Sequence, residues 1–141
     1  MGKATTSATF EAPIEKAFKV ISDYGSYPQF MPDVKRVSVI ESTLEKKLVE
    51  FELQIIKSIR YQLWMTEVAN TDVAWRFHSG EMFKENSGFW KLKDLGDGRT
   101  QAEYSIDAKF GMFVPGMIEK KLIEVNLPTM MKAFKTRIEA K

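Results

Sequence analysis

Hydrophobic and polar residues follow two periods along this chain, and the places where one period gives way to the other mark out its elements. From Lys3 to Ala12, polar Thr5, Ser7, Thr9 and Glu11 alternate with Thr6, Ala8 and Phe10, the period-two pattern of a half-buried strand. Pro13 ends it. Ile14, Ala17, Phe18 and Ile21 then recur at i, i+3, i+4 and i+7, which predicts a short amphipathic helix. The stretch DYGSYPQFMP, Asp23 to Pro32, is the densest in aromatic residues and proline. Its Tyr24, Tyr27 and Phe30 predict a second short helix, with Pro28 near the start and Pro32 stopping it.

Strands follow in succession. The pattern predicts them at Val34–Glu41, Lys46–Ile56, Ser58–Val68, Val73–Ser79, Phe83–Leu95 and Thr100–Phe110. In the second of these Val49, Phe51, Leu53 and Ile55 face one way and Glu50, Glu52 and Gln54 the other. In the third, Ile59, Tyr61, Leu63 and Met65 oppose Arg60, Gln62, Trp64 and Thr66, which puts Trp64 on the outer face. Val73, Trp75, Phe77 and Ser79 alternate with Ala74, Arg76 and His78, so His78 is expected outside and Ser79 inside. Asn86, Gly88, Trp90 and Leu92 share a face, and Gly88 permits a close approach by another group. Gly96-Asp97-Gly98 reads as a turn, and Ala102, Tyr104, Ile106 and Ala108 then share one face of the last strand.

After Gly111–Gly116 comes the one long helical pattern, in which Ile123, Leu127, Met130, Phe134 and Ile138 form a stripe. Pro128 is expected to kink or divide this helix. The order strand, helix, helix, six strands, long helix is α+β. It predicts a curved seven-stranded antiparallel sheet wrapped around a long C-terminal helix, with two short helices between strands 1 and 2. Residues 1–141 read as a single domain, without repeats or linkers.

Composition narrows the chemistry. With no cysteine and one histidine, thiolate sites and multi-histidine metal sites fall away, and no cofactor is expected. The absence of cysteine fits a reducing cytoplasm, where we expect the protein to work. Its 21 basic and 19 acidic residues are interleaved, which gives no footprint for DNA. No apolar run is long enough for a transmembrane helix. Nucleotide-binding, nucleophile-elbow and zinc-protease motifs are all missing, so no residue is assigned as catalytic. Polar interruptions of the inward faces are the places for acid/base work, namely Asn86, Ser79 and Tyr104 by parity. His78 has two readings, exposed beside Arg76 or turned to an interior ligand. Met112, Met117, Met130 and Met131 crowd the last element, either as core filler or as an adaptable lining.

Four stretches in this order resemble the START-like (helix-grip) superfamily, in its polyketide cyclase/dehydrase and coenzyme Q-binding branch. They are FEAPIEKAFKVISDYGSYPQFMPDVKRVSVIE at Phe10–Glu41, VAWRF at Val73–Phe77, FKENSGFWKL at Phe83–Leu92 and LPTMMKAFKTRIEA at Leu127–Ala140. The resemblance implies a helix-grip fold that encloses a hydrophobic small molecule, such as a lipid, quinone or polyketide, between sheet and C-terminal helix. A pocket of roughly 300–1,000 Å³ would suit such a ligand. Its expected lining is Phe51, Leu53, Tyr61, Trp75, Asn86, Trp90 and Tyr104 from the sheet and Met130 and Phe134 from the helix. A closed core built from the same residues is the plainer alternative. The leading functional expectation is a binding or carrier protein. The alternatives are a cyclase or dehydratase acting in the same cavity, and a ribosome-associating, toxin-like module with ribosome or transient membrane contact through a surface around Lys84, Lys91 and Lys93.

Overall fold

Alternation along seven segments builds one sheet. The computed structural model describes residues 2–54, 57–112 and 114–140, the side chain of Ile123 excepted. Strand β1 (Gly2–Phe10) is followed by helix α1 (Ile14–Ser22) and a 3-10 turn (Tyr24–Gln29). Then come β2 (Val34–Ser42), β3 (Lys47–Gln54), β4 (Ser58–Val68), β5 (Asp72–Gly80), β6 (Phe83–Gly96) and β7 (Arg99–Phe110). The chain closes with α2 (Gly116–Lys120), a π-helical turn (Lys121–Val125) and α3 (Asn126–Glu139). All seven strands pair antiparallel in the order β1-β7-β6-β5-β4-β3-β2, so β1 and β2 are the edges. This is the expected α+β architecture. The inward placement expected of Ile55 and Ile123 lies outside the described residues.

The second short helix forms where expected, but Pro28 lies near its end and sets its type. An α-helix over Tyr24–Gln29 would need an N–H at Pro28 to bond the carbonyl of Tyr24, and proline has none. The segment tightens into a 3-10 turn instead, with Pro28 near its end rather than its start. The turn is held from both sides. Tyr24 donates its hydroxyl to Glu67 at 2.5 Å, Lys47 pairs with that carboxylate at 3.2 Å, and Tyr27 donates to the carbonyl of Ile21.

Ser79 is the second departure. Leu63 pairs with Phe77 but Gln62 pairs with Ser79, so His78 is an extra residue in β5. That bulge reverses the alternation, and both His78 and Ser79 are exposed, their side chains joined at 2.8 Å. Trp64 lies on the outer face as expected, with the Lys46 ammonium 4.1 Å from its ring centroid.

In the C-terminal segment the division lies one turn before Pro128. The proline ring would crowd the carbonyl of Glu124 in a regular α-helix. The backbone widens into the π turn at Lys121–Val125, which leaves Pro128 in the first turn of α3, where no N–H is needed. Beyond it, Met131, Phe134 and Ile138 are buried while Leu127 and Met130 are half-buried. Phe134 is 1% exposed and stands edge-on to Tyr27 (5.3 Å), Phe30 (5.3 Å) and Trp90 (5.1 Å). Met112 and Met117, at 81% and 67% exposed, neither fill the core nor line it.

Gly88 is required by packing. A Cβ there would overlap the carbonyl oxygen of Ser105 and the indole of Trp75. We therefore expect Gly88→Ala to cost about 3 kcal/mol in urea unfolding, the upper end for overpacking. Phe134→Ala should cost about 3–5 kcal/mol in the same assay.

Candidate functional site

Between the concave face of the sheet and α3 the side chains leave a cavity of about 190 Å³. The structure brings all nine residues expected at a lining to its wall, namely Phe51, Leu53, Tyr61, Trp75, Asn86, Trp90, Tyr104, Met130 and Phe134. The volume is smaller than the roughly 300–1,000 Å³ expected, because large rings occupy the space. These rings form one continuous arc. From Phe110 it runs through Phe83 (5.1 Å), Tyr61 (5.0 Å) and Phe51 (5.4 Å, stacked) to Tyr27 (6.4 Å). From Tyr27 it continues through Phe134 (5.3 Å), Trp90 (5.1 Å) and Tyr104 (5.0 Å) to Trp75 (5.4 Å). Every one of these rings borders the cavity.

A few polar groups interrupt the arc. Trp75 donates its indole N–H to Asn86 Oδ1 at 3.0 Å, which fixes the amide and leaves its NH2 without an acceptor among the described residues. The hydroxyls of Tyr61 and Tyr104 also border the cavity without a protein partner among the described residues, whereas that of Tyr27 is spent on Ile21. Burial pushes the pKa of Tyr61 well up, and burial followed by the neighbouring Tyr61 does the same for Tyr104. Both phenols are neutral at physiological pH and act as hydrogen-bond donors or acceptors, not as bases.

The mouth is marked by the two exposed lining residues, Pro32 before β2 and Thr129 in α3. Asn126 bridges this opening by donating its amide to Asp33, and its Oδ1 is buried with no partner among the described residues. The sequence pattern missed Asn126 and Asp33, since a contact spanning 93 residues leaves no periodic trace. Tyr27 was missed as lining because it lies in the 3-10 turn, outside the alternating strands, and Phe110 because it is the last residue of its strand. A strand-end pair, Phe83 opposite Phe110, is the one signal that marked that end of the arc. Among the described residues no three His, Cys, Asp or Glu side chains gather as a metal site. No helix among them is long and apolar enough to cross a membrane.

Comparison with known proteins follows this geometry. The sequence matches the family described as polyketide cyclase / dehydrase and lipid transport over residues 10–135. No curated protein sequence matches it. Among solved structures it is similar to a START superfamily protein from Mycobacterium smegmatis (TM-score 0.85, 20% identity, covering 99% of this chain and 98% of that one). It is also similar to the Zhui aromatase/cyclase from a Streptomyces species (TM-score 0.81, 15% identity, 96% and 90% covered). A Thermus thermophilus protein gives a TM-score of 0.82 at 14% identity, with 96% of each chain covered. At these identities the likeness is one of fold.

All four tyrosines have pKa values raised above the ordinary 10.0, burial being the first cause in each, with the Glu67 hydrogen bond next for Tyr24. Folding thus favours the neutral phenols. That stabilisation is whole below pH 10.0 and is lost as the pH rises through the folded values. At about pH 11 the folded protein should show little phenolate absorbance in the ultraviolet, all four appearing together on unfolding.

Proposed function

Because this chain belongs to the polyketide cyclase/dehydrase and lipid transport family, we propose that it binds a small ring compound carrying oxygen substituents, in the cavity between sheet and α3. One observation carries the reading: an aromatic wall that includes two neutral phenols without a protein partner, and an amide whose NH2 lacks an acceptor, among the described residues. Flat aromatic guests stack on such a wall, while a buried, unpaired hydroxyl favours a guest that completes its hydrogen bonds. Size sets the class. An apolar cavity of roughly 150 Å³ admits a benzene-sized molecule, so about 190 Å³ suits one or two fused rings. A longer tail would leave past Pro32 and Thr129. The reading takes the protein to act inside the cell, in keeping with a chain that has no cysteine.

A second reading, ring-forming chemistry on a polyketide-like chain, is favoured by the pairing of Tyr61 and Tyr104. Two neutral phenols at one cavity can donate to a carbonyl oxygen as negative charge develops on it. The ribosome or membrane alternative draws no such support. Lys91 lies in register with Asp72 on one side and Glu103 on the other, so the outer face there alternates in sign rather than forming a basic patch.

Titration with 1,4-naphthoquinone and 2-naphthol, read by tryptophan quenching and calorimetry, tests the proposal. We expect saturable binding, weakened roughly 3–10-fold by Tyr61→Phe or Tyr104→Phe. Ala108→Phe, which fills the cavity from β7, should abolish it. Equal binding by the Ala108→Phe protein, or no uptake of either compound, would overturn the reading.

A further inference from the structure

The convex face of the sheet holds an arrangement that the cavity does not use. Glu52 points away from the core yet is only 5% exposed, and it accepts the Ser58 hydroxyl at 2.7 Å. Three cations surround it: Lys35 Nζ at 3.7 Å, Arg36 Nε at 3.6 Å and Arg60 Nε at 3.6 Å. The register explains the convergence. Arg36 on β2 and Arg60 on β4 are the cross-strand partners of Glu52, and the bulge between Val34 and Arg36 makes Lys35 an extra residue that reaches the same carboxylate. Ser58, then Arg60, Lys35 and Arg36, hold the Glu52 carboxyl below its usual range against the opposing effect of burial, so it is ionised.

One carboxylate cannot balance three cations. Among the four groups in contact, Glu52, Lys35, Arg36 and Arg60, a surplus of two positive charges remains. The three cationic side chains around Glu52 are each more than half exposed. Both guanidinium groups approach Glu52 through Nε, and their terminal Nη groups have no acceptor among the described residues. Like charges held this close repel unless an anion shares them.

We propose that Arg36, Arg60 and Lys35, oriented by Glu52, form a binding site for a phosphate monoester. Such a group carries about −1.5 to −2 charge at neutral pH, which matches the surplus, and its oxygens suit planar guanidinium forks. Val34 and Leu53, a paired couple beside this cluster, line the cavity from the opposite face, so the phosphate site adjoins the cavity rim across the sheet. Its existence does not depend on what the cavity holds. The monoester has two sources, a free phosphorylated molecule or a phosphatidic acid head group.

Phenyl phosphate, followed by phosphorus NMR and calorimetry, tests the first source. Phosphatidylcholine vesicles with and without about a fifth phosphatidic acid test the second. Arg36→Lys/Arg60→Lys keeps the charges around Glu52 and removes only the forks. We expect it to melt with wild type and bind the monoester roughly tenfold more weakly or worse. Arg36→Gln/Glu52→Gln/Arg60→Gln, which removes the carboxylate with its partners, should not bind; if it fails to fold, the lysine variant decides alone. Binding of phenyl phosphate assigns the free molecule, and binding confined to phosphatidic acid vesicles assigns the lipid. No binding to either, or lysine-variant binding equal to wild type, would overturn the proposal.

Discussion

The edge-on seating of Phe134 against Tyr27, Phe30 and Trp90 is the contact on which the rest of the structure depends. It joins three separately built parts: α3, the 3-10 turn and the centre of the sheet. Remove that ring and the helix loses its registration, the turn loses one wall, and the aromatic arc breaks near its middle. A Leu at this position would restore much of the buried area but not the edge-to-face geometry that aligns Tyr27 and Trp90. The cavity is therefore less a hole left by poor packing than a space defined by rings that brace one another around it.

Polarity inside that space is sparse and specific. Asn86 is positioned by Trp75, Trp75 lies over Gly88, and Gly88 lets the indole approach the backbone of β6. Three residues on two strands thus set the direction of one amide. Tyr61 and Tyr104 differ from Tyr27 in a single respect that matters: the hydroxyl of Tyr27 is occupied by the chain itself, and theirs have no partner among the described residues. The buried, unpartnered Oδ1 of Asn126 repeats this theme at the mouth. Each group carries a desolvation cost that the protein alone does not offset.

Much of this was legible in the amino-acid sequence, and the exceptions have definite causes. Strands with strict alternation, such as Ser58–Val68, matched to the residue, and the inward faces that supply Phe51, Tyr61, Trp90 and Tyr104 followed from parity alone. Ser79 was misassigned because one extra residue, His78, inverts every position after it, and a bulge is set by the partner strand rather than by local pattern. The short helix at Tyr24–Gln29 was legible, but its 3-10 form and the place of Pro28 near its end were not, because apolar spacing alone does not separate a 3-10 turn from an α-helix over six residues. The cavity volume was overestimated because spacing reports which face a ring occupies and says nothing of how far it reaches. Asp33 and Asn126 escaped notice for a related reason: neither belongs to a periodic run, and their pairing exists only once the two ends of the chain meet.

The way α3 is fastened sets how it can move. Its far end is bound repeatedly, by Lys135 to the carbonyl of Thr9 at 2.9 Å, by Glu139 to the N–H of Glu11 at 2.8 Å and by Arg137 to Gln29 at 2.7 Å. At its near end the Asn126–Asp33 bridge stands beside a π turn, whose wide hydrogen bonds yield more readily than those of an α-helix. Mechanically this is a beam held by several bonds at one end and by a single bridge at the other. Fourteen residues span about 21 Å at 1.5 Å each, so a tilt of roughly 5° at the clamp carries the tip about 2 Å. A tilt about the clamped end would therefore displace the mouth more than the part of the aromatic arc beneath the clamp.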